Sequence, residues 1–265
     1  MPAERLPDEE VRAPGAPSHL PAEPLTPLPP RPVCRALFQQ RWRDLVFLHW
    51  PADPVEVAHL LPAGTVPDQH RGRTYVGLVF FHMQDLAFGR TPPLPYLGSF
   101  NEVNVRLYCR DALGRRGVVF RSLDCDRLLP VLTARIAFGL PYGWSRTHSR
   151  WFGSRLLYTT GRRDGVGTGA RVWIDVADAP VAPGPLEEFL TCRWGLHERF
   201  LGRTYYLPNA HPTWSFHACT LMGWSDDLIA RAGLSPPVGD PVSVLYSPGL
   251  RVRFGPPLAL PGSAV

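Results

Sequence analysis

The feature that most constrains the fold is a succession of segments rich in aromatic and β-branched residues, a composition typical of β-strands. Turns that contain Gly or Asp separate them. Strands are predicted at residues 74–82, 100–110, 117–124, 150–160, 170–177, 203–207, 212–218, 242–246 and 250–254. Short helices are predicted at 54–62, 126–138, 186–194 and 225–233. The sequence therefore predicts a β-rich α+β domain whose sheet curls or closes around a centre, with helices at the rim.

The first 33 residues differ from the rest, because they are crowded with proline and have almost no aromatic or β-branched side chains. Such a segment buries too little surface to offset its ordering entropy, so we expect a disordered or polyproline-like tail at 1–33. One folded domain is expected at 34–260, followed by a short tail at 261–265. A chain of 265 residues with 45% apolar content is long enough for one sizeable core.

The chain contains no lysine, since all 28 of its Lys and Arg residues are arginine. An imine forms only on a neutral amine, and arginine stays protonated under all ordinary conditions. Schiff-base chemistry on a side chain, pyridoxal-lysine chemistry and a lysine-type phosphate loop are therefore excluded.

The formal net charge of +5 permits an acidic partner, but the arginines are scattered along the sequence. The pairs Arg115-Arg116 and Arg162-Arg163 lie in Gly-containing turns, and we expect them to be solvated hairpin tips. No nucleic-acid partner is therefore predicted. The sequence has no signal-peptide pattern and no run of 18 apolar residues, which favours a cytoplasmic protein without a membrane partner. A homo-oligomer remains open.

Polar and apolar residues alternate along the strand at 100–110, FNEVNVRLYCR. The alternation places Glu102, Asn104, Arg106 and Tyr108 on one face, opposite an apolar face. Two interpretations follow: the polar face contacts solvent, or it lines an internal cavity. Periodicity alone favours solvent, although the next strand, GVVFRSLD, is apolar on both faces, as in the middle of a sheet.

Several blocks of the chain together resemble a known bacterial family. They are RWRDLVFLHWPADP at 41–54, FNEVNVRLY from 100, GVVFRSLD from 117, ARIAFGLPYG at 134–143, FLTCRWGL at 189–196 and AHPTWSF at 210–216. In this order they are similar to the DUF2071 family, also called the YqjF-like proteins. The resemblance covers roughly residues 35–258. It implies membership of the acetoacetate decarboxylase-like superfamily and hence a β-rich cone or barrel around a ligand cavity.

Two short segments can be compared with the decarboxylases residue by residue. Those enzymes carry an NEV-type strand whose glutamate points at the active site, and Asn101-Glu102-Val103 is similar to it. They also carry a G-x-P-K-K motif whose first lysine forms the substrate imine. Here Gly139-Leu140-Pro141 is followed by Tyr142 and Gly143 in place of both lysines. Decarboxylation through an imine is therefore excluded for this chain.

The resemblance and the residue types together suggest three catalytic roles. A glutamate in an apolar barrel can act as general acid or base, and Glu102 fits that role. An arginine, Arg106 or Arg135, can hold a carboxylate or enolate, and Tyr142 can donate to a developing oxyanion. Further ligand contacts are predicted for Asn104, His82 and Trp144.

These residues predict lysine-independent acid–base processing of a small keto acid or aromatic compound, by hydration, dehydration, isomerisation or cyclisation. One alternative is a non-catalytic small-molecule pocket in the same fold. Another is that Glu102 and an arginine form a buried ion pair that only sets the register of the barrel.

Neither a metal nor a cofactor is predicted. The five cysteines form no CxxC. His211 and His217 are separated by an even number of positions and would share a face of a continuous strand, but Pro212 interrupts strand pairing and no further ligand follows at a suitable interval. No GxSxG elbow is present for a serine nucleophile. A small organic ligand is thus the one partner that the sequence predicts.

Overall fold

The computed structural model describes residues 20–127, 139–164 and 166–261. Within them, thirteen strands form one sheet. The strands are β1 (Phe38–Ala52), β2 (Thr65–Pro67), β3 (Thr74–Phe88), β4 (Phe100–Asp111), β5 (Arg116–Cys125), β6 (Tyr142–Phe152), β7 (Arg155–Arg162), β8 (Gly169–Val181), β9 (Gly195–Phe200), β10 (Arg203–Ala210), β11 (Phe216–Asp226), β12 (Ser243–Phe254) and β13 (Leu258–Ala259). The helices are short: α1 (Pro54–Ala58), α2 (Pro185–Thr191) and α3 (Leu228–Arg231).

The sheet closes on itself twice around a common wall made of β12, β1, β3, β4 and β5. On one side of the wall, β6, β7, β8 and β11 complete a nine-strand ring. On the other side, β9 and β10 complete a seven-strand ring, joined through the single pair Val118–Leu196 and through a two-residue pairing of β10 with β12. The predicted curled sheet is therefore present, with two closed sides.

The central parts of β1, β3 and β4 are buried on both faces. On β1 and β3, Val46, Leu48, Leu78 and Phe80 pack into the core of the nine-strand ring, where they meet side chains of β7 and β8. Their sequence neighbours, such as Phe47, point to the opposite side and into the seven-strand ring. Because both faces are covered, these strands contain nearly continuous apolar runs.

The predicted strands are present, with three differences in their bounds. The segment predicted as one strand at 150–160 is two strands, β6 and β7, which turn at Gly153, whose φ is +63°. Glycine adopts this backbone region without steric cost, so a hairpin turn interrupts the run. The two strands predicted at 242–246 and 250–254 form the single strand β12. The strand predicted at 212–218 is β11, which begins only at Phe216. Strands β1, β2, β9 and β13 were not predicted.

Residues 20–33 lie against the domain as an extended segment. The Leu20 N–H donates to the Ala112 carbonyl at 2.9 Å, and Arg31 forms an ion pair with Glu23. This stretch is thus part of the folded unit, contrary to the tail expected up to residue 33. Backbone hydrogen bonds and the 3.1 Å bond from Arg31 to the Tyr206 hydroxyl hold it against the domain, and a composition argument counts neither. The residues before it lie outside the described part, as do most of the predicted helix at 126–138 and the last four residues.

Candidate functional site

The seven-strand ring encloses a cavity of about 200 Å³. Its walls are mostly apolar and aromatic, and they come from the common wall, from β9 and β10, and from the loop at 89–99. The largest contributions include Trp42, Phe47, Phe81, Met83, Leu94, Leu97, Phe100 and Phe254. Among the described residues, the polar side chains that line the cavity are Gln40, Glu102, Asn104, Arg106 and Tyr142.

The polar row of β4 faces this cavity. Glu102 is only 2% exposed and Asn104 only 4% exposed, and both line the cavity together with Arg106. The solvent interpretation favoured by periodicity is therefore wrong. The reason is that β4 lies between β3 and β5 in the common wall, so that one face packs into the core and the other closes the cavity.

Glu102 and Tyr142 are in direct contact. The Tyr142 hydroxyl donates a hydrogen bond of 2.7 Å to Oε2 of Glu102. Burial raises the pKa of the Glu102 carboxyl to about 7, because removal from water disfavours the charged form; the neighbouring Tyr142 and Asn104 side chains partly oppose this shift. Burial and the adjacent carboxylate raise the pKa of the Tyr142 hydroxyl well above its usual range. Tyr142 is therefore a neutral hydrogen-bond donor.

The chain before Tyr142 holds its side chain towards Glu102. Gly139 has φ +68°, and a Cβ there would lie 3.0 Å from the Arg199 carbonyl oxygen, so this position requires glycine. The Leu123 N–H then donates to the Pro141 carbonyl at 3.1 Å. This hydrogen bond begins a short parallel pairing of β6 with β5, which fixes Tyr142 at the cavity wall.

The next residue, Gly143, leaves room for a buried ion pair. Nε of Arg162 donates to Oδ1 of Asp124 at 2.6 Å, and a Cβ on Gly143 would lie only 2.7 Å from that oxygen. A side chain as large as lysine does not fit at this position. Arg162 is also not the solvated hairpin tip that was expected, because it neutralises a fully buried carboxylate. The same correction applies to Arg115, which is buried against Asp111.

Arg106 lies further along β4. Its Nε donates to the Tyr108 hydroxyl at 2.9 Å and its Nη2 to the Leu190 carbonyl at 3.2 Å. The guanidinium also lies 5.3 Å from the centre of the Phe47 ring. Among the described residues, no carboxylate forms an ion pair with Arg106 or with Glu102, so the register-setting ion pair is not found within them.

The other predicted site residues are placed differently. Arg135 lies outside the described residues. His82 does not line the cavity: it alternates with Phe81 and Met83, which do, and its ring nitrogens bond to Asn101 and Ser99. Trp144 is 42% exposed beneath the guanidinium of Arg163. It shares a face of β6 with Tyr142 but is not among the described residues that line the cavity.

The sequence analysis missed most of the residues that line the cavity, one of them polar and the others apolar. Gln40 and Trp42 line the cavity from β1, and the period-two alternation of that strand is the signal that could have indicated them. Leu94 and Leu97 close the cavity from the loop at 89–99. No local pattern predicts that this proline-containing loop, which connects β3 to β4, folds over the cavity.

The described residues contain no group of three or more His, Cys, Asp or Glu side chains arranged to hold a metal ion. His211, in the connection between β10 and β11, bonds to the Pro212 carbonyl at 2.7 Å and packs between two tryptophans. His217 lies on β11. Within the same residues, no helix has the length and apolar character needed to span a membrane.

Comparison with known proteins identifies relatives along most of the chain. Residues 39–251 match the DUF2071 family of uncharacterized conserved proteins. The uncharacterized protein YqjF of Bacillus subtilis (strain 168) is 27% identical over 222 residues, which cover 83% of this chain and 91% of YqjF.

Solved structures share the fold at low sequence identity. An acetoacetate decarboxylase-like enzyme from Sphingomonas wittichii RW1 superposes with a TM-score of 0.58 at 15% identity, covering 90% of this chain and 98% of that one. The enduracididine biosynthesis enzyme MppR, in complex with the condensation product of pyruvate and imidazole 4-carboxaldehyde, superposes with a TM-score of 0.56 at 14% identity, covering 93% and 98%. The fold is therefore acetoacetate decarboxylase-like.

Proposed function

The chain belongs to the DUF2071 family, and from that premise and the geometry of its cavity we propose that it carries out lysine-independent acid–base chemistry on a small carbonyl compound. The observation that supports this proposal best is the contact between Glu102 and Tyr142 inside an apolar cavity. A carboxyl whose pKa is about 7 exchanges protons readily at neutral pH, which a general acid or base requires.

The two residues have complementary roles in the proposed reaction. As a carboxylate, Glu102 accepts a proton from the carbon next to the substrate carbonyl, and the electron pair of the broken C–H bond moves to the carbonyl oxygen. Once Glu102 is protonated, its carboxyl is a weaker hydrogen-bond acceptor for Tyr142 than the carboxylate was. The Tyr142 hydroxyl then donates to the developing oxyanion. Return of the proton from Glu102 to another carbon of the enolate completes an isomerisation. If the Glu102 carboxyl first exchanges its proton with solvent, reprotonation of the same carbon completes a solvent exchange.

The absence of lysine limits the reaction to this kind of step. Without an imine there is no cationic nitrogen to accept the electrons released by decarboxylation. Enolisation, hydration, dehydration and cyclisation need only a proton carrier and an oxyanion donor. The condensation product bound to MppR derives from a keto acid, and this likeness supports a carbonyl substrate here.

Solvent proton exchange tests the proposal even when the final product is unidentified. A panel of keto acids and aryl ketones is incubated with the protein in D₂O, and loss of the α-proton signal is followed by NMR. We expect at least one compound to exchange faster with protein than without. Tyr142→Phe should reduce that rate about 10²-fold, because it removes the oxyanion donor and keeps the ring.

Borohydride trapping provides the matching negative test. Mass spectrometry after reduction in the presence of any of the keto acids should show no adduct on a side chain. A cavity that binds members of the panel, yet exchanges none of their protons, would instead indicate a non-catalytic binding protein.

A further inference from the structure

We propose that Arg106 is the carboxylate anchor of the cavity, and that the ligands are organic acids whose carboxylate is separated from the reacting carbon by an apolar spacer of several bonds. The inference rests on the proposed function, because it places the reacting carbon beside Glu102. It goes further by naming the substrate class and the approximate length.

The first observation is that the charge of Arg106 is not neutralised by the described chain. Two of its nitrogens donate to neutral oxygens, of Tyr108 and Leu190, and Nη1 has no hydrogen bond within the described residues. The nearby Arg193, by contrast, is paired with Asp68 at 2.5 Å. A partly buried guanidinium without a counter-ion is less favourable than a paired one, and a ligand carboxylate supplies both the charge and two strong acceptors.

The wall is also shaped to hold Arg106 in place. Gly77 pairs with Arg106 across β3 and β4, and a Cβ there would lie 3.2 Å from Cγ of Arg106 and 2.9 Å from the Tyr108 hydroxyl oxygen. A glycine in the interior of a central strand weakens that strand and often marks a close approach. Here it leaves the space in which the Arg106 side chain lies.

The histidine beside Arg106 is uncharged. His49 is fully buried, and within the described residues both of its ring nitrogens lack a hydrogen-bond partner. Burial and the cations of Arg106 and Arg193 hold the pKa of His49 well below its usual range. The ring is therefore neutral, and this end of the cavity has a net positive charge that favours an anion.

The spacing along β4 sets the length of the ligand. Glu102 and Arg106 are four residues apart on an extended strand, so their Cα atoms are roughly 14 Å apart. The bond from Nε of Arg106 to Tyr108 directs the guanidinium away from Glu102. With a contact of about 3 Å at each end, the ligand spans roughly 7–10 Å from carboxylate to reacting carbon. Pyruvate is too short, whereas an arylalkanoate matches this length.

Calorimetric binding to the full chain tests the proposal. The probes are pyruvate, benzoate, 3-phenylpropanoate and 4-phenylbutanoate, together with the primary amides of the last two. We expect the two longer acids to bind most tightly and their amides to bind about tenfold more weakly or worse. Arg106→Met should lower the affinity for the acids about 10- to 100-fold and abolish their advantage over the amides.

Two further variants control the experiment. Arg146→Met removes an exposed arginine of β6 and should leave all affinities unchanged. Gly77→Ala displaces Arg106 without deleting it and should also reduce the preference for acids, which keeps the proposal testable if Arg106→Met does not fold. Equal binding of acid and amide by the natural chain, tightest binding of pyruvate or benzoate, or an acid preference that survives both cavity variants would overturn the proposal.

The binding test of Arg106 and the proton-exchange test of the proposed function can fail independently of each other. If the long acids bind through Arg106 but no keto acid of matching length exchanges its α-protons, the anchor stands and the acid–base proposal fails. If exchange is found only with compounds whose affinity does not depend on Arg106, the acid–base proposal stands and the anchor is refuted.

Discussion

Replacing Glu102 by glutamine should lower the rate of solvent proton exchange about 10²–10⁴-fold, the range expected for loss of a general acid or base. Glutamine keeps the size of the side chain and still accepts a hydrogen bond from Tyr142, but it cannot take up a proton. The affinity for the exchanging compound should change little, since the lost interaction acts in the transition state. NMR exchange rates and calorimetric affinities, measured on the same compound, separate the two effects.

Glu198→Gln is the matched control. Burial raises the pKa of Glu198 to about 8, so this variant also removes a carboxyl with a raised pKa. Glu198 does not line the cavity. Its replacement should leave the exchange rate unchanged. Equal rates for Glu102→Gln and the natural chain would remove Glu102 from the reaction.

The substitution Glu102→Gln should also stabilise the protein at alkaline pH. The pKa of Glu102 rises from 4.5 to about 7 on folding. Its contribution to stability is therefore fully present below pH 4.5 and is lost as the pH rises to about 7, because the folded state then holds a buried charge. The difference of about 2.5 pH units corresponds to about 3 kcal/mol. Above pH 8, Glu102→Gln should raise the free energy of unfolding relative to the natural chain by about this amount.

Urea unfolding at several pH values measures this difference. The gain from Glu102→Gln should grow between pH 5 and 7 and then level off. Glu198 and Asp226 also have raised pKa values, so they contribute to the pH dependence of stability in both proteins. The contribution of Glu102 is therefore obtained from the difference in unfolding free energy between Glu102→Gln and the natural chain at each pH. A pH-independent difference for Glu102→Gln would mean that the carboxyl has an ordinary pKa.

The strands were largely predictable from sequence because their signals are local. Aromatic and β-branched runs marked the wall strands β3, β4 and β5, and the apolar character of β5 on both faces indicated the middle of a sheet. The alternation in β4 identified the residues that share a face. It could not show what covers that face, since the covering strands β9 and β10 follow about ninety residues later.

Other features depended on partners distant in sequence. The Arg162 pair resembled a solvated turn, and only the fold brings Asp124 to it. The extended stretch before residue 33 is held by the loop near Ala112, which composition does not reveal. Only the resemblance to the decarboxylases suggested that Tyr142 and Glu102 share a cavity, because forty positions separate them in the sequence; their direct hydrogen bond was not predicted. Arg106 was identified as a candidate carboxylate-binding residue from its place on the polar face of β4, whereas Gly77 had no recognisable local signal.

The central claim is that Glu102 is a proton carrier with a near-neutral pKa inside a lysine-free cavity. The most direct test is a titration of the Glu102 carboxyl by ¹³C NMR in the free protein, with its signal assigned by its absence from Glu102→Gln. The account predicts a pKa near 7, raised further in Tyr142→Phe, where one hydrogen bond to the carboxylate is lost. A pKa at or below 4.5 would contradict it, because Glu102 would then be a permanent carboxylate with no proton to carry at neutral pH.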